Sequence, residues 1–236
     1  MSLRGIFPID KWDFNSDSVF TNFPEEEYDE MTKNAREERY KKGQIIFREG
    51  AMPSGIYYIL EGKIKKYKVD TFDKEQIIYV ANAGELIGYH AVLSAERYPD
   101  SASALEDCKA LFIPKEDFLS VLEQSSLLSG RLLKMLSHEF TVLTNSITIF
   151  AQRPVRERLA ITLIVLREKF KQGNLEEGAS VAINMSREDI ANMAGTTREN
   201  VVRLLREFKD DQLIRTQGRK IWIMDIKKMI AVSNYQ

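Results

Sequence analysis

Residues 196–206 read Thr196, Thr197, Arg198, Glu199, Asn200, Val201, Val202, Arg203, Leu204, Leu205 and Arg206. On a helix, positions 199 and 203 lie one turn apart and 198 sits beside them at the start, so one surface presents all three. An arginine there can hold guanine O6 and N7 in a two-pronged fork, and a glutamate can accept from cytosine N4. Backbone N–H groups at the helix start, flanked by the threonines, face phosphate. The chemistry implied is recognition of duplex DNA, with Thr196, Thr197, Arg198, Glu199, Asn200 and Arg203 on the contact surface and Lys220 joining them from the following hairpin.

The flanking sequence supplies the elements that must hold this surface. Ser186-Arg187-Glu188-Asp189 opens a short helix with an N-cap serine and an acid at the third position. Gly195 ends it, where a left-handed backbone favours glycine. Thr196-Thr197-Arg198-Glu199 is a second capping box, launching a helix to about Lys209. Small Ala191, turn-forming Gly195 and core-facing Val201 and Leu204 have the spacing of a helix-turn-helix. Leu213–Thr216, Gln217-Gly218 and Arg219–Ile223 then read as a hairpin, a wing. An ordinary solvated helix face with a Glu199–Arg203 pair is the competing reading. Caps, turn, core spacing and wing all favour DNA instead.

Upstream, Ile-, Tyr- and Val-rich segments at 44–47, 56–60, 63–69 and 76–80 are punctuated by glycines, as in an antiparallel sandwich. Segment 63–69 alternates, which puts Ile64, Tyr67 or Val69 toward one face and lysines toward the other. Pro24-Glu25-Glu26-Glu27 marks a helix start. Beyond Pro114 the period becomes helical. Leu133, Leu136, Phe140, Leu143, Ile147 and Phe150 follow a 3-4-3-4-3 spacing and form one stripe. A neighbouring stripe holds Leu128, Leu132, Met135, Val142 and Ile149. Two stripes on one long helix call for a second surface, most simply the same helix of another subunit rather than burial within one chain; the first stripe is the expected dimer interface, and the period alone does not decide between the two. Pro154 sets a boundary near residue 152. Arg156–Phe170 reads as an amphipathic helix burying Leu159, Leu163, Leu166 and Phe170, and 173–178 as a polar loop.

Composition narrows the function classes. The 236 residues carry 34 Lys plus Arg against 35 Asp plus Glu, so the global balance is silent about partners. Split at Arg153, the C-terminal part has 16 basic against 11 acidic residues and is basic, as a polyanion-binding module would be. One cysteine, Cys108, excludes an intramolecular disulfide framework and a multi-cysteine metal or iron–sulfur cage. Two histidines, His90 and His138, have no supporting ligand pattern, so no metal site is expected. No apolar run reaches the length of a membrane span, no signal peptide is evident, and a cytoplasmic location is expected. No P-loop, nucleophile elbow, zinc-helix motif or dinucleotide turn appears, so no enzyme and no catalytic residues are expected.

Lys42-Gly43-Gln44-Ile45-Ile46-Phe47, the block Gly55–Gly62, Gly84-Glu85-Leu86-Ile87-Gly88, Arg187–Ala191 and Arg198–Leu205 together resemble the cyclic-AMP receptor protein/fumarate–nitrate reduction regulator (CRP/FNR) family of bacterial transcription factors. The resemblance covers nearly the whole chain from about Tyr40. It implies an α+β fold: an antiparallel, cyclic-nucleotide-binding-like β-roll (a jelly roll) as sensor over residues 1–125, a long dimerisation helix and hinge over 126–152, and a winged helix-turn-helix over 153–236. It also implies a homodimer on a pseudo-palindromic double-stranded site, and contact with RNA polymerase. Arg198, Glu199 and Arg203 fall where the family reads base edges. The implied effector pocket comprises Gly84, Glu85, Leu86, Asp100, Ser101 and Ala102. In members that bind cyclic AMP, an arginine pairs with the cyclic phosphate; here Asp100 occupies that position. An anion about 4 Å from that carboxylate would meet roughly 4 kcal/mol of repulsion at an effective dielectric near 20. Arg97 would reach in only if the loop refolded. Cyclic AMP is therefore disfavoured, the effector is unidentified, and no cofactor is assigned. The redox members hold an iron–sulfur cluster with several cysteines, which a single cysteine cannot do. The alternative function is a small-molecule sensor whose output is protein contact, but an exposed helix face of Arg, Glu, Asn and Arg lacks the apolar anchors such docking favours.

Overall fold

Glycine-punctuated strands, then helices, then a second small sheet follow one another along the computed structural model, which describes residues 3, 5–13, 19–171 and 180–235. The polar loop expected at 173–178 lies outside the described residues. Contacts divide the chain into two compact units, Phe14–Phe140 and Met1–Asp13 with Thr141–Gln236. The first thirteen residues thus cluster with the C-terminal unit rather than with the strands that follow them.

In the first unit, α1 (Glu25–Thr32) precedes β1 (Arg36–Tyr40), β2 (Ile45–Phe47), β3 (Gly55–Glu61), β4 (Lys63–Val69), β5 (Glu75–Asn82) and β6 (Leu86–Ile87). A short helix α2 (Tyr89–Ser94) leads to β7 (Ser101–Ala104), β8 (Cys108–Pro114) and α3 (Lys115–Gln124). The strands form two four-stranded antiparallel sheets, ordered β1-β8-β3-β6 and β2-β7-β4-β5. Gly84 turns the chain between β5 and β6 with φ near 89°, a backbone that disfavours side chains. Ile56, Leu86, Tyr89, Ile113 and Phe118 fill the core together with Leu128, Leu132 and Met135 of the long helix α4 (Ser126–Gln152).

Strand β4 departs from the half-buried pattern. Lys63 and Lys66 are buried and Val69 is exposed. β4 is an interior strand whose residues 63–67 are buried or half-buried on both faces, and its pairing with β5 slips between Lys66 and Tyr67. Its lysines bury their stems and meet carboxylates: Lys63 with Glu106, Lys65 with Glu75 and Lys66 with Asp100.

The second unit is built on α5 (Val155–Lys169), with Pro154 as its N-cap. The expectation of an amphipathic α5 is overturned: residues 159–166 are buried without interruption, because α6, α8, β9 and β11 pack around it. β9 (Ile183–Asn184), α6 (Arg187–Ala194), α7 (Arg198–Asp210), β10 (Ile214–Gln217), β11 (Lys220–Ile223) and α8 (Ile226–Ser233) complete the unit, with the sheet ordered β10-β11-β9. Among the described residues no helix is long and apolar enough to cross a membrane.

Candidate functional site

Helices α6 and α7 form the expected helix-turn-helix. Ser186 caps α6 by accepting from Asp189 N at 2.9 Å, and Gly195 adopts φ 63° at its end. Ile190, Ala191 and Ala194 meet Val201, Leu204, Leu205 and Phe208 in the core of the module; each is at most 4 % exposed. The second cap is shifted by one residue from the sequence reading. Thr197, not Thr196, is the N-cap of α7 and accepts from Asn200 N. Two adjacent threonines offer the same chemistry, and the backbone turn at Gly195 decides between them. Thr196 is buried, and its hydroxyl accepts from the Asn200 carboxamide at 3.1 Å, so it orders the helix start.

Thr197, Arg198, Glu199, Val202, Arg203 and Arg206 are exposed on one side of α7. The Glu199 carboxyl is held below its usual range by its own backbone N–H, the Thr197 hydroxyl and the nearby Arg198 charge. Arg203 pairs with Glu207 at 2.6 Å, one turn on, and not with Glu199. Glu207 is also held by Arg156 at 2.7 Å, and Arg156 reaches Asp211 at 2.9 Å. The charges along α7 are therefore ordered by a partner on α5.

Lys220 is exposed at the start of β11, beside the Gly218-Arg219 turn of the wing. Sequence reasoning missed the residue that fixes this wing. Arg187 donates to Arg219 O and Gly218 O, both at 3.1 Å, tying the start of α6 to the wing tip. Its place directly after the Ser186 cap was the only signal available.

Arg158 was missed as well. Its guanidinium donates to Ala194 O at 3.1 Å and Gly195 O at 2.9 Å, at the turn between α6 and α7. It also donates to Phe150 O at 3.2 Å and Arg153 O at 3.3 Å, at the end of α4. One cation thus neutralises the negative ends of two helices and ties the end of α4 to the α6–α7 turn. We expect Arg158→Ala to destabilise the C-terminal unit by ~1–3 kcal/mol, the scale of charge-assisted hydrogen bonds, and to weaken DNA binding. Arg158→Lys, with one point charge for four carbonyls, should recover part of both. Thermal unfolding and a binding titration on the same samples measure the two effects.

The six residues expected to line an effector pocket all lie in the first unit. Glu85 is buried; it accepts from the Tyr79 hydroxyl at 2.6 Å and from Asn82 N at 3.1 Å, bracing the β5–β6 turn. Gly84 N donates to Ile59 O at 2.8 Å, and Leu86 is a core residue. Ser101 accepts from Glu49 N at 2.9 Å, and Ala102 is buried on β7. Asp100 does not stand alone as the sequence suggested: Lys66 meets it at 3.1 Å, with both side chains under 10 % exposed. The repulsion expected from a bare carboxylate is thereby offset, while the cation that could receive a phosphate is already committed. Arg97 is turned to Gly50 O at 2.8 Å.

Cys108 and His90 both have partners within the first unit. Cys108 is buried and donates to Lys63 O and Glu106 O, and burial pushes its thiol pKa up. His90 lies 2.7 Å from buried Glu139, which also takes the Tyr89 hydroxyl. Among the described residues no group of three or more His, Cys, Asp or Glu is placed to hold a metal.

Along α4 the two stripes part. Leu128, Leu132, Met135, Val142 and Ile149 are buried within the chain. The expected dimer stripe is exposed: Leu133, Phe140 and Ile147 by 67 %, 70 % and 67 %, and Leu143 and Phe150 by 39 % each. Leu136 is the exception, packed partly against the first unit's core.

Comparison with known proteins gives this geometry a context. The cyclic nucleotide-binding domain family matches residues 37–125, and the Crp-like helix-turn-helix domain family matches residues 157–232. The chain is 28 % identical to the transcriptional activator protein Anr of Pseudomonas aeruginosa, over 88 % of this chain and 84 % of that one. It is also 28 % identical to the fumarate and nitrate reduction regulatory protein of Vibrio cholerae, over 84 % and 78 %. In fold it is similar to FixK2 from Bradyrhizobium japonicum, with TM-score 0.74, 21 % identity and coverage of 84 % and 96 %. The c-di-GMP responsive regulator CLP of Xanthomonas campestris gives TM-score 0.71, 20 % identity and coverage of 86 % and 100 %. With a sensor-type β-domain, a long helix and a winged helix-turn-helix in that order on one chain, this protein belongs to the CRP/FNR family of DNA-binding transcription regulators, a non-enzymatic family whose members typically act as dimers.

Proposed function

We propose that this chain is a homodimeric, cytoplasmic regulator that reads a pseudo-palindromic DNA site through Arg198, Glu199 and Arg203. Thr197, Asn200 and Lys220 contact the phosphate backbone, and Thr196 orders the helix start. Recognition helices related by a two-fold axis would enter major grooves one helical turn apart, about 34 Å. The exposed apolar stripe of α4 is the dimer seam, and RNA polymerase is the partner at the promoter. The observation that carries this reading is the exposed charged face of α7 beside a fixed wing, on a module whose core is otherwise closed.

Control comes from an effector that shifts the population between arrangements of the DNA-binding module about the hinge at 151–154. Such an effector acts only through different affinity for the two arrangements. The buried Lys66–Asp100 pair supports an effector other than cyclic AMP, since a cyclic phosphate at that position must break the pair and leave a buried charge uncompensated. Calorimetric titration with cyclic AMP, cyclic GMP and cyclic di-GMP tests this. We expect no submicromolar binding of either mononucleotide; such binding would overturn the assignment. Saturable binding of the dinucleotide would name an effector recognised elsewhere on the chain.

A further inference from the structure

Helix spacing allows Arg203 two carboxylate partners on α7, Glu199 one turn before it and Glu207 one turn after. The fold selects Glu207, whose Oε1 accepts from Arg203 Nη1 at 2.6 Å. The other oxygen, Oε2, accepts from Arg156 Nη1 of α5 at 2.7 Å. Arg156 is itself pinned. Its Nη2 donates to Asp211 at 2.9 Å, and its guanidinium carbon lies 4.8 Å from the ring centre of Phe208, a fully buried residue. A cation stacked on a core ring therefore holds the carboxylate, and the carboxylate holds Arg203.

The nitrogen engaged decides what remains for DNA. A guanidinium carries two parallel N–H bonds along its Nε–Nη2 edge, a fork that fits guanine O6 and N7. Glu207 takes Nη1 and leaves that edge free; among the described residues no second hydrogen bond engages the side chain. An arginine that grips a base gives up rotamer freedom, and one already held gives up less. The pair itself adds little stability, since the Arg203 side chain is 61 % exposed and that of Glu207 39 %.

We propose that Glu207 is a positioning residue for base recognition: anchored by Arg156, it presents the free edge of Arg203 to guanine before DNA arrives. A carboxylate beside a DNA-contacting face weakens attraction to phosphate, so this brace works against affinity and in favour of base choice. The proposal rests on the reading that Arg203 contacts a base.

Selectivity is measured apart from affinity, with full-length protein at one fixed salt concentration and with cyclic AMP, cyclic GMP and cyclic di-GMP supplied. It is the ratio of affinities for the site that the wild type enriches from a random duplex pool and for sites changed at one base pair per half-site. Arg203→Ala and Arg198→Ala identify the positions that those two residues read. Glu207→Ala should lower selectivity about ten-fold at the Arg203 position and leave the Arg198 position unchanged. Affinity for an unrelated duplex should stay equal or rise. With Arg203→Ala already present, Glu207→Ala should change selectivity no further, because a positioning residue acts only through the group it holds. Unchanged selectivity at the Arg203 position in Glu207→Ala, an equal loss at both positions, or a further loss in the double variant would each overturn the proposal and leave base reading by Arg203 in place. If the wild type enriched no site, or Arg203→Ala lost no selectivity, base reading would fall and the proposal with it.

Discussion

Arg203→Ala is expected to reduce affinity for the cognate site by roughly 10²–10³-fold while leaving the fold unchanged. A good bidentate arginine–guanine contact discriminates by ~1–3 kcal/mol, and a dimer loses one in each half-site. Stability should change by less than about 0.5 kcal/mol, because the exposed Arg203–Glu207 pair is worth little and Glu207 remains held by Arg156. Arg203→Lys should retain attraction to the backbone and lose base choice, since a point charge cannot form the two-pronged contact. Quantitative binding to the cognate site and to single-base variants, at one fixed salt concentration, separates these outcomes. Equal affinity and selectivity in Arg203→Ala would remove the residue from the recognition surface.

Phe140→Glu combined with Ile147→Glu is expected to weaken self-association by at least about 10³-fold and to abolish tight DNA binding with it. Both side chains are about two-thirds exposed or more in the single chain, so neither supports the fold of its own subunit. Burying such a side chain stabilises by ~1.5–3 kcal/mol, and each is present twice across a two-fold seam. A carboxylate in the seam adds an unpaired charge in an apolar contact. Sedimentation velocity should show a monomer that keeps the wild-type circular dichroism spectrum. Leu128→Glu, on the buried stripe, should unfold the first unit instead. A double variant that stayed dimeric would place the seam elsewhere.

The parts legible in the sequence are those specified locally. Caps, Gly195 and the spacing of Ala191, Val201 and Leu204 all lie within one short stretch, so the helix-turn-helix could be written down before any contact was known. The cap slipped by one residue because Thr196 and Thr197 are chemically alike, and only the turn geometry separates them. The two stripes of α4 were readable from period alone, but which one faces its own chain depends on the distant strands that cover Leu128 and Met135. Lys66 and Asp100 lie 34 positions apart, on β4 and at the start of β7, and no local pattern announces a pairing set by strand register. Arg158 has the same difficulty: its four acceptors are backbone carbonyls, which carry no side-chain signature. The acidic, aromatic-dotted N-terminus gave no periodicity by which to place Phe7 and Trp12 on Tyr235.

Selection of bound sequences from a random duplex pool, with reduced full-length protein and candidate effectors supplied, tests the central claim most directly. Paired recognition helices predict an enriched inverted repeat whose half-site centres lie about one helical turn apart. Guanines should be fixed where Arg198 and Arg203 reach, and the same selection with Arg203→Ala should lose information at one position of each half-site. A pool that emerged without any enriched motif would contradict the account.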